Sequence, residues 1–279
     1  MRVVVTGASG FLGAAVLRQL VEAGFDCIGV SRRDNSGLYR VNKYSETPAA
    51  DCLIHCAETN ERAIVNASGA LMEMEARQTL DAFLTGKFEH VIYMSSSVVY
   101  GDQWITPRKV SDPVEAVDAY THIKLASEQA VLKSGGAVAR LSNLYGQGMA
   151  AGNVLSHIFR QLDTGRAITM HSLEPIRDFL WVDDAAKAVR AIVEIKSTGV
   201  FNIGSGRGTS IRQLVRIAQT ASGSNQDVIG LRTGERPSYL VLDIADTEKS
   251  IDWIPQVCLK DGLLRLLNTK MKLKFNEQK

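Results

Sequence analysis

Hydrophobic positions in this chain fall into short unbroken runs, separated by stretches in which apolar residues recur at helical spacing. Val3, Val4 and Val5, followed by Thr6, make the apolar β-branched run that a buried parallel strand requires, and Leu12, Ala15, Val16 and Leu20 then repeat with the period of a helix. Gly24 marks the stop of that helix, and Phe25 to Val30 predicts a second strand. Asp34 to Ala50 is polar and contains Gly37 and Pro48, leaving room for a short strand around Leu38 to Val41. Asp51 to Ala57 predicts the next strand, Asn66 to Leu84 a helix, Phe88 to Met94 a fifth strand, and Ala116 to Leu132 another helix. Strand and helix alternating in this way predict an α/β fold with a doubly wound parallel sheet.

Three glycines, Gly7, Gly10 and Gly13, separate the first strand from the first helix. The first suits a tight turn, the second brings backbone close to a phosphate without a Cβ in the way, and the third lets helix pack on strand. The helix N-terminus then offers amides and partial positive charge to a pyrophosphate, so the stretch predicts a dinucleotide site. The second strand ends in Ser31-Arg32-Arg33, where a fold holding NAD usually carries an acidic residue for the ribose 2′-hydroxyl. A hydroxyl and two guanidinium groups suit a 2′-phosphate instead, which favours NADP, with NAD as the alternative. Arg32 and Arg33 can also be read as a solvated basic pair, with Asp34 in the acidic role.

With 279 residues, 45% hydrophobic and 22% charged, the chain is long enough for one large domain or a domain with a small lobe. A net charge of +2 gives no reason to expect nucleic acid or an acidic membrane as partner. No apolar run reaches the length of a membrane span, and glycines interrupt the N-terminus before a signal pattern can form. A cytoplasmic protein is expected. Cys27, Cys52, Cys56 and Cys258 form no ligand cluster with histidines and read as small apolar residues in a reducing compartment, with no metal site. His55, inside an apolar strand, reads as a core histidine rather than a catalyst.

The chemistry concentrates further along. Tyr120 and Lys124 stand four apart in a helical stretch, which puts phenol and ammonium on one face. A nearby cation stabilises a phenolate, and such a tyrosine can exchange a proton with a hydroxyl or carbonyl. The run Ser95-Ser96-Ser97 supplies hydroxyls that could polarise the same oxygen. With these residues in hand, the chain resembles an extended short-chain dehydrogenase/reductase of the nucleotide-sugar epimerase/dehydratase/reductase group. Thr6-Gly7-Ala8-Ser9-Gly10-Phe11-Leu12-Gly13 is similar to the group's cofactor turn, and Val91 to Gly101 to its active-site strand. The resemblance implies a Rossmann-type sheet with a small C-terminal substrate lobe. It makes Tyr120 the general acid/base, Lys124 its activator and a ligand of the nicotinamide ribose, and Ser96 the carbonyl-orienting donor. The cofactor contacts it implies are Gly7, Ser9, Gly10, Phe11, Leu12, Gly13, Ser31, Arg32, Arg33 and Ala57, together with Tyr120 and Lys124.

Later segments extend the resemblance. Arg140 to Gly146 looks like the sixth strand and the loop into the substrate lobe, with Asn143, and Ser97 further back, as substrate contacts. Arg177-Asp-Phe-Leu-Trp-Val-Asp-Asp184 and Arg232 before Gly234-Glu235 stand where the group binds the nucleotide diphosphate. Ion pairs with Asp178 and Glu235 are the other readings of these arginines. Expected boundaries are a cofactor domain over 1–145 with returning segments at about 175–205, a substrate lobe over 146–174 and 228–269, and a fraying tail over 270–279. The segment between Ala57 and Asn66 is shorter than the group's pattern, which leaves its homodimer of paired helices open. Ser97 and Val98 replace the Asp-Glu pair of sugar dehydratases, so dehydration by that route is not expected. What remains is reduction of a keto group on a nucleotide-linked sugar, with 4-epimerisation, or a non-catalytic dinucleotide sensor, as alternatives.

Overall fold

The computed structural model describes residues 1–277 except 60, 233 and 235–237, with side chains described as far as Thr269. The first half of the chain alternates as its pattern predicts: β1 (Arg2–Thr6), α1 (Phe11–Glu22), β2 (Asp26–Ser31), β3 (Tyr39–Arg40), β4 (Cys52–His55), α2 (Arg62–Ala67), α3 (Gly69–Phe83), β5 (His90–Ser96), α4 (Ala119–Lys133) and β6 (Ala137–Leu141). There follow β7 (Asn143–Tyr145), α5 (Val154–Leu162), β8 (Ile168–Ser172), β9 (Ile176–Trp181), α6 (Val182–Glu194), β10 (Gly199–Ile203), β11 (Gly208–Ser210), α7 (Ile211–Ser222), β12 (Val228–Arg232), β13 (Tyr239–Leu240), α8 (Ala245–Ile251) and α9 (Leu259–Glu277).

Among the described residues, seven strands join in one sheet in the order β3-β2-β1-β4-β5-β6-β10, with each neighbouring pair parallel. This is a Rossmann-type order, and the strand order reverses between β1 and β4. Period-two alternation assigns the two faces. Val3, Val5, Ile54 and Ile92 pack with Val16 and Leu20 of α1 and Val189 and Ile192 of α6. Val4, Leu53 and Val91 pack with Leu80 and Phe83 of α3 and Val131 of α4 on the other side. Both faces are covered, which is why these strands are apolar throughout rather than alternating with polar residues. A separate core gathers Tyr145, Leu155, Ile158, Phe179 and Trp181 with Leu214 of α7 and Leu263 of α9.

Three boundaries differ from the sequence reading. The helix expected over Asn66 to Leu84 starts earlier, at Arg62, and breaks at Ser68, whose φ of −119° and ψ of 24° interrupt it between α2 and α3. Ser68 and Gly69 are both weak helix formers. β5 carries on through Ser95 and Ser96 because the parallel ladder holds them opposite Arg140 and Leu141 of β6. The backbone over most of the expected tail continues α9 to Glu277. Among the described residues no helix is long and apolar enough to cross a membrane.

Candidate active site

The glycine turn lies at the point where the strand order reverses. Gly7 takes φ +69°, and a Cβ there would stand 2.7 Å from the Cys56 carbonyl oxygen at the end of β4. A Cβ on Gly13 would overlap the Gly7 carbonyl, so α1 lies against the turn only because that position has no side chain. The Gly10 N–H donates to the Gly7 carbonyl at 2.8 Å, and Gly10 is the N-cap of α1 with no side chain capping the helix. The first amides of α1 are thus left for an acceptor from outside the helix. They face a cavity of about 640 Å³ lined by Ser9, Gly10, Phe11, Gly148 and Trp181, while Leu12 packs into the core beneath. Donors without a cap, beside an open cavity, fit a pyrophosphate.

Ser31 is fully buried; its Oγ lies 2.8 Å from Ser9 Oγ and accepts from the Arg33 N–H at 3.0 Å. Its hydroxyl therefore ties β2 to the turn instead of facing outward. Arg32 and Arg33 are both exposed, and the Arg32 guanidinium sits 5.1 Å from the centre of the Tyr44 ring. Arg32 and Tyr44 line a second cavity of about 680 Å³, whose walls also include Lys43, Ala57, Glu58, Tyr120 and Lys124.

Asp118 caps α4 by accepting from the Thr121 N–H at 2.9 Å, and that start sets Tyr120 and Lys124 on the inward face, both buried. Lys124 Nζ is 5.7 Å from the centre of the Tyr120 ring and 4.9 Å from that of Tyr93. It donates to Glu58 Oε2 at 2.8 Å and to the Met94 carbonyl at 2.9 Å. The Tyr93 hydroxyl donates to the same Glu58 oxygen at 2.6 Å. Burial alone would drive the Lys124 ammonium to lose its proton, but the Glu58 carboxylate outweighs that and holds it well above the usual lysine value. Burial likewise opposes ionisation of Glu58, yet Lys124 keeps its carboxyl below the ordinary carboxylate range.

Ser96, half-buried at the end of β5, accepts from the Val98 N–H at 3.4 Å. Ser97 and Ser95 are buried, and Ser95 donates to Glu128, which is paired with Arg140. His55 is a core residue as expected: its Nδ1 lies 2.7 Å from Thr6 Oγ1, its ring stacks on Tyr93, and burial pushes its pKa down to about 4. Cys52 and Cys56 are free thiols pushed up to about 12 by burial, Cys27 is free and half-buried, and Cys258 is free and exposed.

Arg177 is tied down by protein groups. It donates to the Ile176 and Ser238 carbonyls, each at 2.9 Å, to Ser238 Oγ at 2.8 Å and to Asp102 Oδ2 at 3.2 Å. Its acidic partner is thus Asp102 and not Asp178, which is buried and accepts from the Ser205 hydroxyl and amide. Asn143 Nδ2 donates to the Asp178 carbonyl at 3.1 Å. Arg232 is exposed on β12, and Glu235, its alternative partner, lies outside the described residues. Ser96, Ser97, Asn143, Arg177 and Arg232 are not on the walls of the two cavities. Glu58, Tyr93 and the Lys43-Tyr44 turn were not singled out from the sequence. Glu58 stands in the polar run Glu58 to Glu61, which reads as a surface loop, and no motif marks it.

The family model for the NAD dependent epimerase/dehydratase family matches residues 3–204, taking in both the glycine turn and the Tyr120–Lys124 helix. The chain belongs to this family. It is an enzyme, and the sensor reading is set aside. Similar to it is the dTDP-6-deoxy-L-talose 4-dehydrogenase (NAD(P)(+)) of Kitasatospora kifunensis, 24% identical over 95% of this chain and 94% of that protein. Among solved structures, the Thermotoga maritima UDP-glucose 4-epimerase with UDP-glucose superposes with a TM-score of 0.84 at 22% identity, covering 98% of this chain and 100% of that one. The Pseudomonas aeruginosa RMD complexed with NADPH gives 0.81 at 21% identity, covering 96% and 97%. At these identities the superpositions establish the fold, while the family fixes the broader chemistry: an NAD(P)-dependent epimerase, dehydratase or reductase.

Proposed function

We propose that this family member is an NADP-dependent reductase of a nucleotide-linked keto-sugar. The observation that carries the reading is that one cavity has Tyr120 and Lys124 on its walls together with Arg32. A dinucleotide with a 2′-phosphate would meet the Arg32 guanidinium, held by the Tyr44 ring, and the uncapped amides of α1 would take its pyrophosphate. The cofactor, when bound, supplies hydride. The remaining work falls to the chain's own residues. Tyr120 gives its phenolic proton to the carbonyl oxygen as negative charge develops there, and Lys124, held protonated, stabilises the phenolate left behind. Ser96 donates its hydroxyl to the same oxygen. Arg177 and Arg232 bind the diphosphate, which requires Arg177 to exchange Asp102 for phosphate oxygens. The lobe built on the second core, over 146–174 and 228–269, encloses the sugar.

A 4-epimerase is the second reading, since the family takes in epimerases. Purified protein is to be incubated with UDP- and dTDP-linked 4-keto-sugars plus NADPH or NADH, and separately with UDP-glucose without added cofactor. Oxidation of NADPH faster than NADH is the expected result. Inversion of the sugar without net cofactor consumption would replace the reductase by the epimerase.

A further inference from the structure

We infer that Glu58 is a positioning residue that sets the charge at the Tyr120 site: it holds the Lys124 ammonium in place and offsets the field that ammonium exerts on the phenol. This rests on the Tyr120–Lys124 chemistry proposed above. Three observations carry it. Glu58 Oε2 accepts from both Lys124 Nζ at 2.8 Å and the Tyr93 hydroxyl at 2.6 Å, so the carboxylate is fixed from two elements. Glu58 lines the same cavity as Tyr120 and Lys124. Its other oxygen, Oε1, is buried with no hydrogen-bond partner among the described residues and stands 3.9 Å from His55 Nε2, so Oε2 alone meets the lysine.

A lone lysine beside a tyrosine favours the phenolate; a lysine paired with a carboxylate favours it less, because a dipole's field falls off faster than a charge's. Other titratable and charged groups stand around the same site. Tyr93 from β5 is held protonated, burial first and the Glu58 carboxylate next raising its pKa well above the usual value. His55 from β4 is neutral at pH 7, with a pKa of about 4. Glu75 comes from α3, while Arg62 of α2 is paired with Asp118. Arg32 and Lys43 complete the cavity wall. With Lys124 Nζ 5.7 Å from the ring centre, Glu58 Oε2 is at most about 8.5 Å from it. At that range a unit charge moves a titration by about one pH unit at an effective dielectric of ~20.

Glu58→Gln tests this without disturbing the anchor, since the amide oxygen still accepts from Lys124 and the Met94 carbonyl still holds it. Tyrosinate absorbance is titrated in the full-length protein with and without Glu58→Gln, each against a Tyr120→Phe baseline to isolate the Tyr120 signal. The signal should appear about one pH unit lower in Glu58→Gln. An unchanged or higher midpoint overturns the inference. Should the uncompensated lysine prevent folding, Lys124→Met is compared with Lys124→Met/Glu58→Gln, in which both charges are gone. The double variant should titrate below Lys124→Met, and equal midpoints overturn the inference. Neither titration needs a sugar, so a shift observed in a protein that turns over no nucleotide sugar would leave Glu58 in this role and refute the proposed function alone.

Discussion

Gly13→Ala sets two effects of opposite sign against each other. Alanine is the better helix former by about 0.8–1.0 kcal/mol in a helix interior, so the substitution in α1 would be stabilising if space were free. It is not: the new methyl would overlap the Gly7 carbonyl oxygen, with the Gly7 carbonyl carbon at 2.7 Å and Ala8 Cα at 3.2 Å. All three are backbone atoms of the turn and cannot rotate aside as a side chain would. Overpacking of this kind costs typically about 1–3 kcal/mol, which exceeds the propensity gain over most of its range. The expected net loss runs from near zero to about 2 kcal/mol. The second consequence is functional, because relieving the overlap moves the turn away from α1 and displaces the amides that face the cavity. Urea unfolding should show a lower midpoint, and NADPH titration by protein fluorescence should show weaker binding. Gly152→Ala serves as control, since nothing lies within 4 Å of the added methyl there. If Gly13→Ala is as stable as the wild type and binds NADPH equally well, the close approach of α1 to the turn is not what its glycine is for.

Other expected outcomes follow from the same structure. Tyr120→Phe should keep the fold by circular dichroism and lose about 10²–10⁴-fold in turnover of the keto-sugar, and adding Ser96→Ala should cost much less than the product of the single losses. Arg32→Ala should erase a preference for NADPH over NADH of about 1–3 kcal/mol, read by titrating both; equal affinities in the wild type would contradict this. Asp118→Ala should cost about 0.5–2 kcal/mol at pH 7 by loss of the α4 cap. Burial works against ionisation of Asp118, but the Thr121 amide, Asn66 and Arg62 overcome it and hold the carboxyl well below the ordinary range. The stabilisation is therefore present above the unfolded value of about 3.9 and fades as the pH falls through the folded one, so the difference in urea midpoint should shrink below pH 4.

By itself the sequence determined the sheet and its turn. Val3 to Thr6, Asp51 to Ala57 and Phe88 to Met94 read as strands of a parallel sheet, because short apolar β-branched runs suit strands buried on both faces. Gly7, Gly10 and Gly13 had to form the turn, since local backbone demands leave few other residues for it. The spacing of Tyr120 and Lys124 likewise put them together, being a property of one helix. What only the tertiary structure decided are contacts between segments far apart in the chain. Glu58 reaches Lys124 across 66 positions, and Arg177 reaches Asp102 across 75. Ser31 read as a ligand because the pattern gives its place at a strand end, but not which way its hydroxyl turns, and packing turned it inward to Ser9. Ser95 and Ser96 joined β5 because β6 paired with them. A carboxylate in a polar run looks the same in sequence whether it faces water or a buried lysine, and only the packing of β4, β5 and α4 around it makes the difference.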